Sequence, residues 1–203
     1  MKRTTRALGC LVVLAMVATW VGCPPVRPLT IRFNQGTYDD LAGYSELNPS
    51  TFFGGTQQLG DDFTLAPGTA TITYVRWWGG YRDNSSPMDD FTIRIFEEGC
   101  GLPEMTPLHE VHAGAAGRYP TGDVISPGVW DAAIYEYSTN VPAITLDPST
   151  TYFISIVNDT GRWLWCNNGS ASEGNDYGVS RDTVDGAWGS HGIDMAFQLW
   201  SNQ

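Results

Sequence analysis

The chain has 203 residues, 22 of them acidic against 11 basic, giving a formal charge of −11. A surface of that sign repels nucleic acid and anionic lipid headgroups, and leaves cations, neutral glycans and basic proteins as partners. The length suits one domain with a sizeable core.

Residues 1–22 read as a signal peptide: Lys2, Arg3 and Arg6 precede an apolar run from Ala7 to Gly22. That run is shorter than the roughly 20 apolar residues a membrane-spanning helix needs. Trp20-Val21-Gly22-Cys23 resembles a lipoprotein signal with Cys23 as the lipidated residue, although a Trp stands where leucine is usual. The alternative is ordinary secretion with cleavage near the same place. Pro24-Pro25-Val26-Arg27-Pro28 follows as a stiff extended tether. Without its leader the chain keeps eight arginines and no lysine against 22 acidic residues, a formal charge of −14. The stretch 23–59 is therefore expected to hold the anchor cysteine, the tether and a polar, Gly-rich, irregular lead-in, with one β-domain over 60–203.

Short runs rich in β-branched and aromatic residues then recur, about ten of them, separated by Gly, Pro, Asn and Asp. They are 62–65, 71–78, 91–97, 108–112, 133–139, 143–146, 151–158, 162–166, 177–180 and 193–200. Turn signals lie at Ala66-Pro67-Gly68, Gly79-Gly80, 83–87, 99–103, 147–149 and 158–161. In Phe91-Thr92-Ile93-Arg94-Ile95 the apolar residues share one face, as in a half-buried antiparallel strand. Residues 151–157 are apolar on both faces and so read as a central strand. The pattern predicts an all-β, two-sheet antiparallel β-sandwich of jelly-roll-like form.

Two cysteines, Cys100 and Cys166, remain for an oxidising compartment, and they are expected to pair as a disulfide worth roughly 3–5 kcal/mol. Two separate thiols are the alternative.

Asp61-Asp62-Phe63, the run from Val75 through Trp77-Trp78-Gly79-Gly80 to Tyr81, and Asp194-Met195-Ala196-Phe197 together resemble uncharacterised secreted bacterial β-sandwich domains. The resemblance covers roughly residues 60–200 and implies fold and export, not an activity. By analogy with sugar-binding jelly rolls, Asp61 or Asp62 would meet Asp194 at a structural calcium site between the first and last strands. Oxygen ligands suit that ion.

Among the aromatics, Trp163 and Trp165 share a face, and with Trp78 and Tyr81 they are the expected platform for a sugar ring. Asn167, Asn168 and Arg82 are candidate polar neighbours; the competing reading is that these rings fill the core. The doublets Asp39-Asp40, Asp61-Asp62, Asp89-Asp90 and Glu97-Glu98 put neighbours on opposite strand faces, so none is a catalytic pair in itself. His109-Glu110-Val111-His112 falls one residue short of a zinc-protease motif, and His191 lies in a Gly-flanked loop with no nucleophile elbow. The expected function is thus a non-catalytic exported surface module, with polysaccharide binding as its specific version. A structural or adhesive envelope lipoprotein, partnered with another envelope protein, is the alternative, and an extracellular hydrolase comes third.

Overall fold

The computed structural model describes residues 28–36, 38, 42–44, 46–50, 55–68, 70–82, 88–125, 131–160, 163–168, 178–183, 185–190 and 192–202. The expected leader, Cys23, Asp39-Asp40, Trp130 and His191 lie outside them. Among the described residues no helix is long and apolar enough to cross a membrane.

Among the described residues fifteen strands follow in chain order: β1 (Leu29–Asn34), β2 (Ala42–Tyr44), β3 (Glu46–Ser50), β4 (Gly55–Thr64) and β5 (Thr71–Tyr81). Then come β6 (Phe91–Gly99), β7 (Leu102–Pro103), β8 (His109–Gly114), β9 (Gly117–Ile125) and β10 (Ala132–Thr145). The last are β11 (Thr151–Asn158), β12 (Trp163–Cys166), β13 (Val179–Arg181), β14 (Gly189–Ser190) and β15 (Phe197–Asn202). One sheet runs β1-β15-β5-β10-β9, with β12 sharing the β5 edge and β2 beyond it. The other carries β4-β11-β6-β8, extended by β13 and β14 at one side. Stripped to its eight principal strands, the first sheet orders them first, eighth, third and sixth. The second orders them second, seventh, fourth and fifth. That is the double Greek key of a jelly roll.

Alternation places the core. From the first sheet Phe33, Val75, Trp77, Tyr137, Trp163, Trp165 and Phe197 face inward. They meet Leu59, Phe63, Phe91, Ile93, Ile95, Ile154 and Ile156 of the second. Phe91 packs edge-on against Trp77 and Trp163, each at 5.1 Å between centroids. Burying one such indole removes 150–250 Å² from water, roughly 4–6 kcal/mol as an upper bound. Each sheet also carries a smaller apolar cluster on its outer face. Trp78, Ile134, Leu164, Cys166 and Ala196 lie on the first, and Phe96, Phe153, Val179 and Trp188 on the second.

Several expectations change. The stretch 34–59 is not a mere lead-in: it supplies β2, β3 and half of β4, and β1 pairs with the last strand, so the sandwich begins at Leu29. Gly79-Gly80 is no turn; both glycines lie inside β5, paired to β10 and β12. The two runs 133–139 and 143–146 are one strand, because Pro142 falls where β10 shifts register between Asn140 and Ile144. Strand β9 escaped notice because it is an edge with Pro120 and little apolar content. Cys100 and Cys166 do not form a disulfide: Cys100 is exposed on the turn after β6, in one sheet, and Cys166 is a buried thiol in β12, in the other.

Candidate functional site

Antiparallel partners face the same side of a sheet, so register builds the outer face of the first sheet row by row. Gln198, Arg76 and Ser138 form one row across β15, β5 and β10. Trp78, Glu136 and Tyr119 form the next, across β5, β10 and β9. Together with Tyr38, Thr121 and Asp123 these rows enclose an open groove of about 550 Å³. Its lining is Tyr38, Arg76, Trp78, Thr121, Asp123, Glu136 and Gln198.

The polar groups in it are held in place. Arg76 Nε lies 3.4 Å from Glu136 Oε1, both side chains about 30% exposed, and its guanidinium sits over the Trp200 ring at 5.2 Å. Gln198 donates to Asn34 Oδ1 at 2.8 Å. Thr121 donates to the Ile134 carbonyl and accepts from the Asp123 N–H. The Tyr38 hydroxyl donates to Asp123, and its ring lies 6.4 Å from that of Trp78. Burial and that bond to Asp123 push the Tyr38 hydroxyl above the usual tyrosine range. The groove thus offers an arginine fork, carboxylate and carboxamide oxygens and aromatic edges at one open surface. Such a set suits the hydroxyls and C–H faces of a sugar better than a purely apolar ligand.

Of the aromatic platform expected from sequence, only Trp78 lines this groove, and it is itself only 4% exposed. Trp163 and Trp165 are 0% exposed and Tyr81 is 1% exposed. A ring with no exposed face cannot stack on a sugar, so these three are core residues. Tyr81 serves a polar network instead: its hydroxyl donates to Asp89 and accepts from Asn158 Nδ2 at 2.7 Å, while Arg118 Nη1 lies 3.4 Å from Asp89 Oδ1. Burial, then the bond to Asp89, drives the Tyr81 hydroxyl far above its ordinary range. The other named neighbours, Asn167, Asn168 and Arg82, are all buried.

The acidic residues sort by strand face. Asp61 points inward beside Phe63 and accepts the Met195 N–H at 2.7 Å, bridging the two sheets. Asp62 pairs with Phe153, whose ring lies on the outer face, so it turns away from Asp194 and leaves the expected calcium set. Burial pushes the Asp61 carboxyl well above the usual range, against the Met195 bond, and the nearby charges of Asp194 and Asp62 add to the rise. Among the described residues no three His, Cys, Asp or Glu side chains converge. His112 instead approaches Asp90 at 3.4 Å on the edge strand β8.

Sequence reasoning missed Arg76, Glu136, Tyr38, Thr121, Asp123 and Gln198. The alternation of Tyr74, Arg76 and Trp78 against Val75 and Trp77 carried the signal for Arg76; with β9 unrecognised, nothing pointed to Thr121 or Asp123. Compared with known proteins, the chain matches no family model, no curated protein and no solved structure.

Proposed function

We propose that this is a non-catalytic, exported surface module that binds a neutral polysaccharide in the groove on the outer face of its first sheet. The observation that carries the reading is the groove itself, where Arg76 and Glu136 stand paired at 3.4 Å beside Trp78, Gln198 and Asp123. Glu136 is engaged by Arg76 and Asp123 by Tyr38, an arrangement suited to orienting hydroxyls rather than to cycling protons. The acidic surface favours an uncharged polymer over a polyanion. Export follows from the leader pattern, and a lipid on Cys23 would hold the sandwich near a membrane through the short tether.

Affinity electrophoresis through gels cast with a panel of neutral polysaccharides tests this. Retardation by one polymer, lost in Arg76→Ala and Glu136→Gln, is the expected result. No retardation in any gel overturns it and shifts the weight to a structural or adhesive envelope protein. Release of reducing ends that depends on Glu136 would make the protein a hydrolase instead.

A further inference from the structure

We infer that the outer face of the second sheet holds a carboxylate-binding site formed by Arg94 and Arg181 beside the Trp188 ring. Register and side-chain bonds place both arginines there. Ile93 and Ile95 enter the core, so Arg94 shares the outer face with Phe96. Arg94 lies opposite Ser155 of β11, whose hydroxyl accepts from Gln58 Nε2 at 2.9 Å. Gln58 Oε1 in turn accepts from Arg181 Nε at 2.8 Å. The Arg181 guanidinium sits over Trp188 at 4.3 Å and over Phe96 at 5.6 Å, and Phe96 is two residues from Arg94 on the same face. Burial, and then the Arg94 charge, pull the Arg181 guanidinium below its usual range, with Asp185 opposing.

Two arginines on one sheet face would not make a site. The independent observation is that both are buried and incompletely answered. Arg181 is 3% exposed and Arg94 9% exposed. Glu110 accepts from Arg94 Nε at 2.6 Å, but neither Arg94 Nη1 nor Trp188 Nε1 has a hydrogen-bond partner among the described residues. Arg181 is bonded to neutral acceptors, Gln58 Oε1 at 2.8 Å and the Met105 carbonyl at 3.5 Å. One hydrogen-bonded carboxylate thus stands against two buried guanidiniums, and Asp185, whose charge reaches Arg181, is exposed. A buried Asp or Lys sheds such an imbalance by changing its protonation; arginine keeps its proton at any working pH. Water answers Nη1 but not the surplus charge, which is costly away from solvent. A single carboxylate answers both, and its planar pair of oxygens fits a guanidinium edge. The acidic surface works against a polyanion, which makes a monoanion the fitting ligand. The Glu110 side chain is 53% exposed, so the Arg94 end of the cluster opens at the surface. The site lies on the opposite side of the sandwich from the groove and does not rest on the glycan reading.

Thermal unfolding in sodium acetate and in sodium glucuronate, each against sodium chloride at equal ionic strength and neutral pH, is the test. Carboxylate about 10-fold above its Kd should raise the melting temperature by roughly 3–6 °C over chloride, and the rise should saturate. Arg94→Met should abolish it. Should that variant fail to fold, Arg94→Lys, which keeps the charge beside Glu110 without the fork, should raise the midpoint by about tenfold or more. A glucuronate midpoint about tenfold below that of acetate assigns the carboxylate to a sugar, and equal midpoints assign it to a free acid; both support the site. No saturable rise over chloride with either anion overturns the inference. So does an Arg94→Met or Arg94→Lys response equal to that of wild type.

Discussion

Gly79 tests whether the two central glycines are structural rather than turn-forming. An alanine there would place its Cβ 2.4 Å from the Leu164 carbonyl oxygen and 2.5 Å from Trp163 Cζ2. Both neighbours are fixed. Leu164 belongs to the β12 backbone paired with β5, and the Trp163 ring is 0% exposed in the core. Ordinary contact needs about 1 Å more on each side, and no flexible side-chain end is available to yield it. The strands must part or the indole must leave its rotamer, which puts the cost near the upper end of overpacking, about 3 kcal/mol. For a chain of this size that lowers the melting temperature by roughly 6–12 °C. Urea unfolding followed by tryptophan fluorescence measures it, with Gly189→Ala as the control. An added Cβ at Gly189 meets only the Ser180 carbonyl oxygen, at 3.9 Å, so its effect should stay within about 0.5 kcal/mol. A Gly79→Ala protein within about 1 kcal/mol of wild type would refute the close-approach account of this pair.

Three further outcomes are expected. Tyr81→Phe removes a hydroxyl that serves both Asp89 and Asn158, the latter wholly buried, and should cost about 1–3 kcal/mol in urea unfolding at neutral pH. Because burial holds Tyr81 and Tyr137 above the ordinary tyrosine range, both stay protonated in the folded chain after their unfolded counterparts begin to ionise near pH 10. Stability should therefore be intact below pH 10 and fall above it, and Tyr81→Phe should make that fall shallower. Trp163→Phe should lower stability by about 1–3 kcal/mol and leave polysaccharide retardation unchanged; a loss of retardation in a stably folded variant would return Trp163 to the ligand surface.

The architecture was legible because strand alternation survives in most of the chain. Thr151–Val157 is a central strand between β4 and β6, as its pattern indicates. Phe91, Ile93 and Ile95 share the inner face as their alternation requires, although Thr92 and Arg94 are buried too and β6 is not the half-buried strand expected. What the pattern hid were strands whose stability is not their own. Edge strand β9 has Gly117, Pro120 and Gly122 and few apolar residues, and is held by its ladder to β10. Gly79-Gly80 carries the composition of a turn, yet each glycine lets a neighbour come close: Trp163 and Leu164 at Gly79, Ala133 at Gly80. A local scan sees glycine's freedom to bend and cannot see the ring lying across it.

The site was less legible for a related reason. Aromatic content marks a core and a sugar platform equally well, and only the face on which each ring lands separates them. In β5, Trp77 enters the core and Trp78 the outer face, so one dipeptide serves both sides of a single sheet. Trp163 and Trp165 do share a face, as their spacing requires, but that face is the inner one, where they lie 6.4 Å apart and buried. The outer face is read instead by the residues between the core positions: Arg76 between Val75 and Trp77, Glu136 between Tyr135 and Tyr137, Gln198 between Phe197 and Leu199. Each is a polar side chain inside an aromatic or apolar run, and from sequence alone each passes for the solvated side of a strand. The sheet registers Gln198 with Arg76 and Glu136 with Trp78 and Tyr119, and so gathers scattered residues into one surface. A face built across strands is a property of pairing, and pairing is long-range information that no window along the chain contains.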